Sequence, residues 1–189
     1  QLRDKQLIGY LEEVQRAGPW RSNDILSGVR SGSAARAWLS EVRVSPVNHL
    51  TLMLVGIADI ERINSQYSRD VGNSVLSAAG ERIRQLVSRW PGVEMIARIA
   101  GRDFMIAIGE ALTADHFKLL AEDIVESFAG PTVVNGREIR ASARVGIATG
   151  VPNESGLALL RRASLALSKS LTRGSAKIHV AASQASPEL

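Results

Sequence analysis

The chain contains no cysteine. That excludes a disulfide scaffold, a thiolate metal site and a cysteine nucleophile, and it fits a reducing compartment. Aromatic residues are scarce too, with three Trp, three Phe and two Tyr in 189 residues. The core must therefore come mainly from Leu, Ile, Val and Ala, which a hydrophobic content of 45% readily supplies. No apolar run approaches the roughly 20 residues needed to cross a bilayer; the most apolar stretch, Leu50–Val55, has the length of a strand. No secretory signal is visible, since Gln1–Gln6 leads into a polar helical pattern. Gln1 and the small-residue tail Ala181–Leu189 read as cuts within a longer protein. No single sign of charge dominates, with 23 basic against 19 acidic residues and a net charge of +4. The arginines are scattered singly apart from Arg161–Arg162, without aromatic interleaving, which argues against a nucleic-acid face. The three histidines, His49, His116 and His179, show no metal-ligand spacing and no Ser–His–Asp arrangement.

What is present is a regular alternation of elements. Residues 4–17 carry Leu7, Leu11 and Val14 on one stripe and stop at Gly18-Pro19. They read as a lead helix, either a signalling helix from an upstream domain or an ordinary packed one. A second helix is expected over 31–43, and Leu50–Val55 reads as a strand buried on both faces. Helices follow over Asp59–Gln66 and Val71–Arg89. Met95–Ala100 and Phe104–Ile108 flank Gly101-Arg102-Asp103 as a hairpin. Ala114–Phe128 is an amphipathic helix with Thr113 as its cap. Asn135-Gly136, a strong hairpin-turn signal, separates Thr132–Val134 from Glu138–Ala148. Leu157–Leu171 is the last helix and Ala176–Val180 the last strand. The expectation is an α/β (α+β) domain with a central, mostly antiparallel five-stranded sheet flanked by helices. Its organisation is a helical linker at 1–22, the domain at 23–180 and a linker or tail at 181–189.

Six segments in register give the chain a resemblance. Asp24-Ile25-Leu26-Ser27-Gly28-Val29 resembles D-x-L-T-G-L, and Gly56–Ser65 aligns with D-I-D-x-F-K-x-I-N-D. Tyr67–Leu76 is similar to Y-G-H-x-x-G-D-x-x-L, and Ala97–Phe104 falls on A-R-x-G-G-D-E-F. Ala143–Ala148 resembles V-S-I-G-I-A, and Ala163–Gly174 falls on A-D-x-A-L-Y-x-A-K-x-x-G. These are the motifs of GGDEF domains, the diguanylate cyclases, and the resemblance covers about residues 23–180. It implies the nucleotide-cyclase-like fold; it does not by itself imply the activity.

Joining two GTP molecules needs in-line attack of a 3′-hydroxyl on an α-phosphate, with divalent metals held by carboxylates. The resemblance places those carboxylates at the end of the first buried strand and at the hairpin tip. Here the first position is Gly56, the second aspartate of that segment is Ala58, and the acidic tip position is Arg102. Asp103 and Asp59 remain nearby, but one residue along a helix turns a side chain by about 100°. The phosphate-gripping lysine and arginine align with Leu171 and Ser175, while Lys169 and Arg173 lie on other faces. Of the guanine-recognising pair, Asn64 is kept and the aspartate is Asn73, an amide that offers guanine's donors less than a carboxylate. The product-inhibition motif R-x-x-D aligns with Pro91-Gly92-Val93-Glu94 and lacks its arginine.

The expectation is therefore a catalytically inactive regulatory or interaction module, not an enzyme, with no catalytic residues and no metal ligands. Vestigial nucleotide contacts are Asn64, Asn73, Gly101, Arg102 and Asp103, and Mg²⁺ is not expected to bind. The alternatives are a GTP-binding sensor without turnover, in which Arg102 pairs with a phosphate, and an active cyclase with a metal site rebuilt on Asp59 and Asp103. The resemblance implies neighbouring domains in the same chain as partners, an upstream sensor and a downstream EAL phosphodiesterase, with homodimerisation open. It implies a cytoplasmic domain with no nucleic acid and no direct membrane contact.

Overall fold

Every residue of the strand Thr51–Ile57 is buried, the signature of an apolar run covered on both faces. The computed structural model describes residues 23–24 and 27–182. In chain order its elements are β1 (Arg30–Ser31), α1 (Gly32–Glu41), β2 (Thr51–Ile57), α2 (Ile60–Gln66), α3 (Arg69–Val87), β3 (Val93–Ala100) and β4 (Asp103–Ile108). Then come α4 (Ala114–Ser127), β5 (Thr132–Val134), β6 (Arg137–Ile139), β7 (Ala143–Thr149), α5 (Gly156–Leu171) and β8 (Ile178–Val180). The lead helix anticipated at 4–17, Ile25-Leu26 of the entry motif, and the tail from 183 lie outside the described residues. No helix among the described residues is long and apolar enough to cross a membrane.

The main sheet runs β1-β3-β4-β2-β7-β8. Its three inner pairings are antiparallel and its two edges parallel. It has six strands rather than five because Arg30 and Ser31 pair with Ala97 and Arg98; two residues are too few for an alternation pattern to register. The hairpin anticipated around Gly101–Asp103 is β3–β4. The Asn135-Gly136 turn also forms, with positive φ at both residues (50° and 74°) as a type I′ turn requires. Its second arm is not one strand, however. β6 pairs with β5 in a separate two-stranded sheet, and β7 joins the main sheet beside β2 only from Ala143. Ile139 and Ala141 are buried in the core beneath α3 and α4, so Arg140–Ser142 carries the chain from one sheet to the other.

Side-chain caps set the helix starts. Ser31, Ser68, Thr113 and Ser155 accept the backbone N–H groups of Ala34, Val71, His116 and Ala158, as good N-caps do. Ser68 starts α3 two residues ahead of the apolar pattern. α2 opens instead after Asp59, whose φ of 73° is left-handed, so Asp59 makes the sharp exit from β2 and is not itself helical.

The pleat of β2 divides the core. Met53, Val55 and Ile57 belong to a cluster under α3 and α4, while Leu52 and Leu54 belong to one under α1 and α5. α5 lies so close to β7 that a Cβ at Gly146 would overlap the backbone of Leu167. At the far end, Arg162 forms a nearly buried ion pair with Glu154 (2.8 Å; side chains 11% and 8% exposed). The same guanidinium donates to the carbonyls of Thr149 (3.0 Å) and Ala182 (3.0 Å). Glu154 in turn accepts the N–H of Val151 (3.1 Å).

Candidate functional site

The C-terminal end of β2 and the tip of β3–β4 meet where the motifs predict a site. Gly56 stands between Asp103 on β4 and Arg144 on β7. A Cβ built on Gly56 would sit 3.2 Å from Asp103 Oδ1 and 3.2 Å from a methyl of Leu167. The space a carboxylate would need is thus narrowed by a neighbouring carboxyl and by a side chain of α5. Asp103 Oδ1 is buried and has no hydrogen-bond partner. Burial raises the Asp103 carboxyl above its ordinary range; the Arg102 cation opposes this and the Glu61 carboxylate reinforces it.

Arg102 points elsewhere, donating to Glu61 Oε2 in the first turn of α2 at 2.7 Å. Its backbone carbonyl accepts the N–H of Ile57 at 3.0 Å, so the tip is tied to the end of β2 by main chain as well. Glu61 falls where the D-I-D-x-F-K motif has lysine, and Arg102 where the hairpin motif has an acid. The pair inverts the charge at both motif positions and joins residues 61 and 102, which no local pattern links. Arg144 was missed too. It lies opposite Gly56 and donates to the carbonyl of Ser175 at 3.3 Å; strand register was the signal for it.

The other candidates are placed as follows. Gly101 borders open space, and its carbonyl accepts Arg98 Nε at 3.0 Å. Arg98 also pairs with Asp24 at 3.4 Å. Burial pushes the Asp24 carboxyl up, but hydrogen bonds from Ser27 and the Arg98 charge outweigh this and hold it below the ordinary value. Asn64 lies against Gly72, the residue before Asn73, so closely that a Cβ there would overlap its amide. Asn64 Oδ1 is buried without a partner, and Asn73 is half-buried one position along α3. Helix α2 therefore links the two groups, with Glu61 on the hairpin tip and Asn64 on α3. Leu171 packs against the core under α5, Lys169 and Arg173 are exposed, and Asp59 is engaged by Arg62 (3.5 Å) and Ser142 (3.4 Å).

These residues do not fit a divalent cation. Oxygen donors that carry charge are what Mg²⁺ demands. The tip offers Asp103, whose carboxyl burial pushes up, and Glu61, already paired with Arg102, whose guanidinium repels a cation.

A family model for the diguanylate cyclase GGDEF domain matches residues 34–177. Cyclic di-GMP phosphodiesterase NbdA of Pseudomonas aeruginosa is 30% identical over 128 residues, 66% of this chain and 16% of that protein. Probable diguanylate cyclase DgcF of Escherichia coli is 31% identical over 101 residues, 53% of this chain and 31% of that protein. The chain thus spans less than a third of the length of these curated relatives. Two solved structures share its fold at 21% identity and a TM-score of 0.71. One is the GGDEF domain of TpbB (YfiN) from Pseudomonas aeruginosa, covering 85% of this chain and 95% of that one. The other is the coiled coil and GGDEF domain of DgcB from Caulobacter crescentus, covering 95% and 94%. With its motifs in register on this sheet and the family model spanning most of the chain, the protein belongs to the GGDEF family.

Proposed function

We propose that this domain is a catalytically silent GGDEF module that serves cyclic-di-GMP signalling through contacts rather than turnover. The observation that carries the reading is the charge inversion at the hairpin tip: Arg102, paired with Glu61, stands where a metal-binding acid is required. Gly56 supplies no second ligand, and Asp103 and Leu167 crowd the space beside it. Leu171 and Ser175 withdraw the cationic grip on a triphosphate.

The relatives support a modular setting. NbdA is named a phosphodiesterase, and MucR of Pseudomonas aeruginosa is named bifunctional; the matched region is a small part of each. On this reading the domain works in the cytoplasm beside an EAL phosphodiesterase domain and an upstream sensor of the same chain, and self-association is one way it transmits a signal.

A second reading, a GTP sensor without turnover, draws on one observation: Asn64 Oδ1 is buried, unpartnered and set against Gly72, the residue before Asn73. An active cyclase rebuilt on Asp59 and Asp103 draws on none, since Arg62 and Ser142 engage the first and the second is buried beside the Arg102 guanidinium. The test is titration of the purified domain with GTP, with and without Mg²⁺, alongside an assay for cyclic-di-GMP formation. No product and no Mg²⁺-dependent heat is the expected result. Metal-independent heat would move the sensor reading ahead, and product formation would overturn both.

A further inference from the structure

Around the corner from Gly56, on the α4 side of the same end of the sheet, lies a separate cavity of about 230 Å³. Three cations, Arg62, Arg140 and Lys177, line it against a single carboxylate, Asp59. That carboxylate is already engaged by Arg62 at 3.5 Å and by the Ser142 hydroxyl at 3.4 Å. The side chains of Arg140 and Lys177 make no hydrogen bond or ion pair among the described residues. Like charges gathered on a concave wall repel each other and focus a positive potential. Such an arrangement persists at low cost only where water or an anion answers it.

Two further features point inward. Asp59 holds a left-handed backbone (φ 73°) at the lip, a conformation that costs energy and clusters at binding sites. The opposite wall is apolar, formed by Val125 and Phe128 at the end of α4. The negative end of that helix does not face the cavity bare. The carbonyls of Val125, Glu126 and Ser127 are already taken by Phe128 N, Ala129 N and Arg82. Arg62 and Arg140 also form the shared wall of an adjoining cavity of about 220 Å³ that reaches Tyr67.

We propose that this cavity is an anion site for a small phosphomonoester, with the phosphate between Arg140 and Lys177 and the organic part against the apolar wall. Guanidinium and ammonium donors with a hydroxyl are what a doubly charged phosphate takes. The volume suits a phosphate with a small organic group, not a triphosphate nucleotide. The site is independent of whether the hairpin tip is silent.

The experiment is thermal unfolding of the domain in inorganic phosphate and in phenyl phosphate, each against sodium chloride of equal ionic strength. A ligand that binds only the folded state raises Tm in step with the logarithm of its concentration. Phosphate and, more strongly, phenyl phosphate are expected to raise Tm by a few degrees at about tenfold above Kd, where chloride does not. Arg140→Ala and Lys177→Ala should each remove most of that shift, and Arg161→Ala, exposed on α5, should keep it. Amide chemical shifts of Ser142, Ala143 and Lys177 should move on phosphate titration, a readout that does not depend on variant stability. A shift matched by chloride, or one that survives the Arg140→Ala/Lys177→Ala pair with those amides unmoved, overturns the site.

Discussion

At the scale of single residues, the informative group is Asp103. Its carboxyl carries an unpartnered, buried Oδ1 and is raised by burial. The folded chain therefore holds that proton to higher pH than the unfolded chain. Stability contributed by this group is fullest below the unfolded value of 3.8 and is lost as pH climbs through the higher folded one. Asp103→Asn removes the cost of burying the charge. It should raise Tm at neutral pH and gain nothing near pH 3, measured by thermal unfolding across that range. An unchanged difference at every pH would place the effect in packing instead. The motifs display an acid at position 103 and none at position 56, but not that the Asp103 carboxyl lies beside Gly56. Burial of a carboxyl is a three-dimensional fact that no local pattern encodes.

At the scale of elements, most of the fold was legible. β2 announced itself by an unbroken apolar run, the β3–β4 hairpin by two such runs around Gly101, and α4 by its Thr113 cap. The failures share a cause. β1 is two residues whose existence depends on a partner 67 positions away, as Arg30 pairs with Ala97. The division of β6 from β7 depends on which sheet receives each half, while their sequence reads as one alternating stretch. Glu61 with Arg102 is likewise a long-range match. Exposed as it is, that pair should contribute no more than about 1 kcal/mol; its weight lies in where it places charge. A sharper energetic demand sits at Gly146, where any Cβ collides with the backbone of α5. Gly146→Ala should cost about 3 kcal/mol, because a helix backbone cannot step aside as a side chain can. Denaturant unfolding with an unchanged m-value checks this, and a cost below about 1 kcal/mol would show that α5 is free to lift.

For the whole molecule, the two faces of one sheet carry different duties. On one face Leu167 of α5 packs beside Gly56 and Asp103, and on the other the end of α4 borders the cationic cavity near Asp59. Most of the fold was recoverable from sequence because apolar periodicity runs through the longer helices and strands, whereas the site depends on a few side chains each written once. Stability should be concentrated at Arg162, whose partner Glu154 is 8% exposed. Arg162→Ala leaves that carboxylate buried and unpaired, at a cost of about 3 kcal/mol. Hydrogen exchange should quicken together at residues 151–155 and at 181–182. Quickening at only one of these segments would show that they are not held as a unit.

That clamp also joins parts of the domain that are distant in sequence. Arg162 ties the carbonyl of Ala182, just past β8, to the middle of α5 and to the loop after β7. One guanidinium is thus the common tie of three segments that the chain visits far apart, and losing it frees all three at once.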